Sequence, residues 1–185
     1  IRLSLVGSEM CIRDRKVDLA YSCSQKGLSC PPGLGPFTMG PRAEEKMTSR
    51  SGKVPNWYLD VSLLNRYWGS DRVYHHTAPV NMNFGMREAL RLLAEEGLDE
   101  AWARHRRNAE RLWSGLERQG LSMHVPEERR LPTLTTVRIP DGVDGKAFSQ
   151  HLLNTFGIEV GGGLGSLAGK IWRIGLMGYN STPEN

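Results

Sequence analysis

Lys26 is the residue of this sequence best placed to do covalent chemistry. It follows Tyr21-Ser22-Cys23-Ser24-Gln25 and precedes Gly27. The stretch Lys16–Ser22 (KVDLAYS) alternates apolar and polar positions and is expected to be a strand. The Lys26 amine would then project from the end of a sheet, where α/β folds place their ligands. A desolvated lysine loses basicity and condenses with an aldehyde or ketone as a Schiff base. By spacing alone this is weak evidence, and an ordinary surface lysine after a strand is the favoured reading.

Three other places carry usable groups. Tyr74-His75-His76-Thr77 falls in a loop between two expected helices. Adjacent histidines face one metal poorly and no carboxylate stands at ligand spacing, so no metal is expected there. The Tyr74 and Thr77 hydroxyls, three residues apart, suit donation to a phosphate. Arg173 lies among Ile171, Trp172 and Ile174. It is either a fork that binds a carboxylate in a cleft or a partly exposed strand charge. Residues 163–168 match G-x-G-x-x-A, but a strand follows where a helix should open. Gly169-Lys170 precedes Ile171 and not Ser or Thr, so a phosphate-cradling P-loop fails as well. Gly161–Gly165 is therefore read as a flexible loop able to lie over a site. Arg104, Arg106, Arg107 and Arg111 with Trp102 and Trp113 suggest nucleic acid, but Glu100, Glu110 and Glu117 interrupt them, as on a solvated helix face.

These groups need a frame. The chain has 185 residues, a net charge of +4, 39% hydrophobic and 24% charged residues, which fits about one globular domain. No apolar run is long enough for a membrane span. Three cysteines without a C-x-x-C pair fit a reducing compartment and argue against a disulfide framework. Leu34–Met39 is expected to be a second strand, and Pro41 to open a helix over Arg42–Thr48. A helix from Pro79 to Gly97 carries Met82, Met86, Ala89, Leu90 and Leu93 on one face. Leu98, Trp102, His105, Ala109, Leu112 and Leu116 form the apolar stripe of a second long helix. Beyond it, strands are expected at Leu121–Val125, Leu134–Ile139, Ile158–Val160 and Ile171–Leu176, with a helix over Gly145–Phe156. Residues 1–15 lack any such period and look like a join scar from adapter read-through. The last residues, Ser181-Thr182-Pro183-Glu184-Asn185, look like the cap and first turn of a helix. The chain is expected to be a fragment cut at both ends.

As a set, the motifs resemble the class V pyridoxal-phosphate aminotransferases. The resemblance rests on Val17-Asp18-Leu19-Ala20-Tyr21-Ser22-Cys23-Ser24-Gln25-Lys26-Gly27-Leu28 followed by Cys30-Pro31-Pro32-Gly33. It continues through Trp57-Tyr58-Leu59-Asp60, Tyr74–Pro79, Arg87–Leu90, Leu131-Pro132-Thr133 and Gly161–Gly165 to Arg173–Gly178. It implies an α/β fold: the end of a large cofactor-binding domain over residues 16–100, then a small α+β domain over 101–185. It implies pyridoxal 5'-phosphate on Lys26, which also moves the proton, and Gln25 at the cofactor phosphate. Tyr74 and Thr77 would reach that phosphate from a neighbouring subunit, making the site a homodimer's, and Arg173 would hold the substrate α-carboxylate. The implied reaction moves an amino group from alanine or serine to glyoxylate or pyruvate. Nucleic acid and membrane are not among the implied partners, and the relatives' location is peroxisomal or mitochondrial. The competing readings are a truncated paralogue that only dimerises, or a class V desulfurase. Cys23 stands where the family has glycine and is expected to crowd the lysine turn. The family's ring-nitrogen aspartate, main phosphate turn and ring-stacking aromatic should precede residue 16, so the chain alone is expected to be inactive.

Overall fold

The computed structural model describes residues 17–185, and the join-scar reading of residues 1–15 lies outside them. Strand β1 (Leu19–Tyr21) pairs antiparallel with β2 (Phe37–Met39), Leu19 facing Met39 and Tyr21 facing Phe37. Both fall inside the expected strands, and the loop between them carries Lys26. Helix α1 (Pro41–Thr48) opens with Pro41 in its first turn, where a missing N–H costs nothing. Its Arg42 clasps Asp18 beside β1, Nε to Oδ1 at 2.6 Å and Nη2 to Oδ2 at 2.7 Å. A 3-10 turn (Trp57–Leu59) leads into α2 (Val61–Trp68), whose start Asp60 caps by accepting from Ser62 N at 3.0 Å.

Two long helices follow, α3 (Val80–Glu96) and α4 (Leu98–Arg118), joined at Gly97. Gly97 has φ +83°, a conformation that favours glycine and lets the two helices meet with a single residue between them. The buried face of α4 comprises Ala101, His105, Asn108, Ala109 and Trp113. It is rotated from the expected stripe: Leu98 is exposed and Trp102, Leu112 and Leu116 are only half-buried. On α3, Met86 is buried but Leu90 is exposed.

The second sheet has the order β3-β5-β4, antiparallel throughout, from β3 (Leu134–Arg138), β4 (Gly161–Gly162) and β5 (Ile171–Gly175). Helix α5 (Gly145–Phe156) lies between β3 and β4 in the chain; Asp144 caps it and Gly157 closes it in the left-handed region. Val137, Ile171, Trp172 and Leu176 are buried with Trp113, each such side chain stabilising the fold by about 1.5–3 kcal/mol. The Trp113 indole donates to Thr135 Oγ1 at 2.8 Å and the Trp172 indole to the Gly145 carbonyl at 3.0 Å, so neither polar end is buried unpaired.

Three sequence expectations change here. Leu121–Val125 reduces to an isolated bridge between Met123 and Val137, where His124 N donates to Thr136 O at 2.9 Å and Arg138 N to Ser122 O at 2.8 Å, one rung and not a ladder. The strand expected at Ile158–Val160 sits at Gly161–Gly162 instead. Gly161–Gly165 is not a flexible loop: Gly161 and Gly162 are laddered to Arg173 and Trp172, and Gly163 N donates to Ile171 O at 3.0 Å.

Candidate active site

The lysine turn is rigid in its backbone and open at its side chain. Ser24, with no exposed surface, donates from Oγ to Pro31 O at 2.7 Å and accepts from Leu34 N at 3.3 Å. Cys30 N donates to Ser24 O at 3.0 Å and Ser29 N to Lys26 O at 2.9 Å. This mesh fixes residues 24–34, while the Gln25 and Lys26 side chains are exposed. Ser22 Oγ, four residues before Lys26, is buried without a hydrogen-bond partner among the described residues. Cys23 is half-buried on ordinary negative-φ backbone, so the turn takes it without backbone strain and the expected crowding is not seen there. Cys30 is buried, which is no place for a mobile cysteine nucleophile.

Tyr74 and Thr77 are both exposed, with their hydroxyls 2.9 Å apart. Their loop is pinned from below by His75, which is buried, stacks on Trp57 with ring centroids 4.0 Å apart and meets the Trp57 carbonyl at 3.1 Å through Nε2. His75 Nδ1 and His76 Nδ1 face one another at 2.9 Å, so the histidines hold the loop through each other and Trp57. Among the described residues no hydrogen bond or ion pair joins Tyr74 or Thr77 to the lysine turn.

Arg173, half-buried on β5, lies against Gly161 on the neighbouring strand. Its Nε donates to Gly162 O at 2.6 Å, and a Cβ on Gly161 would stand 3.3 Å from Nη2. Gly161 thus makes a side-chain-free bed for the guanidinium. With Nε occupied, the two Nη groups find no acceptor among the described residues and present a planar fork of the kind that binds carboxylates.

The chain joins the Arg173 strand to the lysine turn through Gly178. Gly178 has φ +61° and packs where a Cβ would overlap Ser29 Oγ and stand 3.0 Å from the Gly27 carbonyl and 3.3 Å from that of Lys26. Tyr179 N donates to Ser29 Oγ at 2.7 Å, holding Ser29 at φ +57°, a conformation uncommon outside glycine. Three polar side chains of α4 grip this segment. His105 Nε2 accepts from Gly178 N at 2.8 Å, Arg104 Nη1 donates to the Gly178 and Ser181 carbonyls at 3.0 and 2.7 Å, and Asn108 donates to Ser181 O at 2.8 Å. Arg104 is held in turn by Glu96. Sequence reading placed His105 on an apolar stripe and gave Gly178 and Ser29 no role. The available signal was a histidine and an asparagine three residues apart on a face otherwise built for burial. Two further arginines of α4 make ion pairs, Arg107 with Glu100 at 2.6 Å and Arg106 with Glu110 at 3.6 Å.

The family model for Aminotransferase class-V matches residues 4–184. The chain belongs to the class V aminotransferase family. It is 44% identical over 186 residues to the alanine–glyoxylate aminotransferase of Callithrix jacchus, covering 98% of this chain and 45% of that protein. It is 37% identical over 197 residues to the (S)-ureidoglycine–glyoxylate transaminase of Bacillus subtilis, covering 97% and 47%. A crystal structure of the alanine–glyoxylate aminotransferase of Nostoc sp. superposes with a TM-score of 0.91 at 65% identity, over 94% of this chain and 46% of that one. The chain therefore spans about half the length of the relatives it matches.

Proposed function

We propose that this chain is the lysine-bearing part of a pyridoxal-phosphate aminotransferase that passes an amino group from alanine or serine to glyoxylate or pyruvate. The observation that carries the reading is the coupling of an exposed lysine on a fixed turn to an arginine fork on β5 through Gly178. Relatives that use glyoxylate support the acceptor class. The residues present fit the cofactor: an accessible amine on a fixed turn, a Ser22 hydroxyl four residues earlier that is buried without a partner among the described residues, and a hydroxyl pair suited to neighbouring oxygens of one phosphate.

Bound there, pyridoxal phosphate supplies the electron sink that loosens the α-proton of an amino acid. Lys26 Nζ holds the cofactor and carries a proton to and from the substrate carbon. The fixed backbone beneath it limits where that proton can travel. Gln25, exposed beside it in sequence, would contact the cofactor phosphate. Arg173 orients the substrate by its α-carboxylate and leaves the side chain to a pocket completed elsewhere. Tyr74 and Thr77 serve the phosphate of a neighbouring subunit's site. The exposed Trp57, Tyr58, Trp68 and Phe84 on the same stretch need a cover, and in this reading a second subunit provides part of it.

The test uses a protein of the relatives' length that carries residues 17–185. Alanine and glyoxylate should yield pyruvate and glycine in equal amounts, and Arg173→Gln should raise the KM for alanine about tenfold or more. No turnover of alanine or serine with glyoxylate or pyruvate, cofactor supplied, would refute the reading.

A further inference from the structure

We propose that His105 is a positioning residue for Lys26, acting through the Gly178 amide. The inference rests on the functional reading only in treating Lys26 as the reactive residue; the coupling itself stands on geometry.

His105 is buried on α4 with both ring nitrogens engaged. Nδ1 meets the Ala101 carbonyl at 2.6 Å and Nε2 meets Gly178 N at 2.8 Å. A carbonyl only accepts and an amide N–H only donates, so the arrangement demands one ring state: neutral, with the proton on Nδ1. A second proton on Nε2 would face the Gly178 N–H, and the clasp would open.

What the clasp holds is the lysine turn. Gly178 sits against Ser29 and the carbonyls of Lys26 and Gly27 without room for a Cβ, and the next amide, Tyr179 N, binds Ser29 Oγ. Ser29 N in turn donates to Lys26 O. The path from imidazole to lysine backbone therefore runs through contacts named at every link. Gly178 lies five residues beyond Arg173 on the same segment, so one imidazole fixes the lysine turn relative to the arginine strand.

The surroundings favour the neutral ring. Burial pushes the His105 imidazole below its ordinary 6.5; the Ala101 carbonyl acts the other way, Arg104 lowers it further and Glu96 raises it. Glu88, Cys30 and Tyr179 line the same cavity of about 360 Å³ beside it.

The test is hydrogen exchange of the Gly178 and Ser29 amides in the 185-residue chain, corrected for intrinsic rate, from pH 8 to 5. In the wild type, protection of both should fall about tenfold or more in step with the His105 titration, as expected for one lost buried hydrogen bond. His105→Gln, whose side-chain oxygen can accept the same N–H and does not titrate, should keep protection across that range. His105→Leu should lose it at every pH while the Val137 amide stays protected. In a protein of the relatives' length carrying residues 17–185, with pyridoxal phosphate as probe and borohydride at pH 8, labelling of Lys26 should drop in the leucine variant and persist in the glutamine variant. Wild-type protection that ignores the His105 titration, or a Ser29 amide that does not follow Gly178, overturns the coupling. Should His105→Leu not fold, the pH series of the wild type against His105→Gln decides. A wild-type Lys26 that takes no label overturns the functional reading, while the amide protection still decides the coupling.

Discussion

Arg173 lies across Gly161 at the edge of the small sheet, its Nε bonded to the next carbonyl, Gly162 O, at 2.6 Å. Nη2 would stand 3.3 Å from a Cβ on Gly161, closer than ordinary contact but within a few tenths of an ångström of relief. The backbone aims the fork, and the absence of a side chain lets it lie flat.

Gly161→Ala should therefore be mild and Gly161→Val severe. The valine variant, in a protein of the relatives' length, should raise the KM for the amino-acid substrate about tenfold or more, the scale of a charge-assisted contact. Labelling of Lys26 should be unaffected, because Gly161 does not touch the lysine turn. Steady-state kinetics check the first and borohydride labelling the second. An unchanged KM in the valine variant would show that Arg173 does not hold the substrate.

The hydroxyl pair of Tyr74 and Thr77 makes a claim about phosphate alone. Combining Tyr74→Phe with Thr77→Val in the same protein should weaken pyridoxal phosphate binding about tenfold or more. Binding of pyridoxal, which lacks the phosphate, should not change. Equilibrium titration with both compounds reads the difference, and equal losses for the two would rule out a phosphate role.

Acid should unfold the chain in two stages. His105 has a folded-state pKa below its unfolded 6.5, chiefly from burial. The unfolded chain therefore takes up the proton first as pH falls. Its contribution to stability is complete above 6.5 and drains away down to the folded value. Glu96 is held below its ordinary 4.5, first by the hydrogen bond from Arg104. Its contribution is complete above 4.5 and drains away as pH falls from there through the lower folded value. Urea midpoints from pH 8 to 3 should show both stages in the wild type and only the second in His105→Gln. Parallel curves between pH 7 and 5 would contradict the assignment of the first stage to His105.

The local setting of each candidate site residue was legible in the sequence. Lys26 follows an alternating strand, Tyr74 and Thr77 share one loop, and Arg173 interrupts an apolar strand. Helix α5 was legible to the residue, since Asp144 caps it and Gly157 takes the left-handed turn that ends it. What was not legible depends on partners far away in the chain. The face of α4 is rotated from its apolar stripe because Arg104, His105 and Asn108 turn inward to serve Gly178 and Ser181, 73 to 77 residues on. The run Gly161–Gly165 reads as flexible from composition, yet a ladder to β5 and the overlying guanidinium fix its first residues. No periodicity announces a polar side chain whose partner is a distant backbone amide.

The most direct measurement is on Lys26 itself. A protein of the relatives' length carrying residues 17–185 would be incubated with pyridoxal phosphate, reduced with borohydride, digested and mapped by mass spectrometry. The expected result is a label concentrated on Lys26 over Lys46, Lys53, Lys146 and Lys170, because among these described lysines Lys26 is the one on a turn fixed by hydrogen bonds on both sides. A label spread evenly over the lysines, or missing from Lys26, would contradict it.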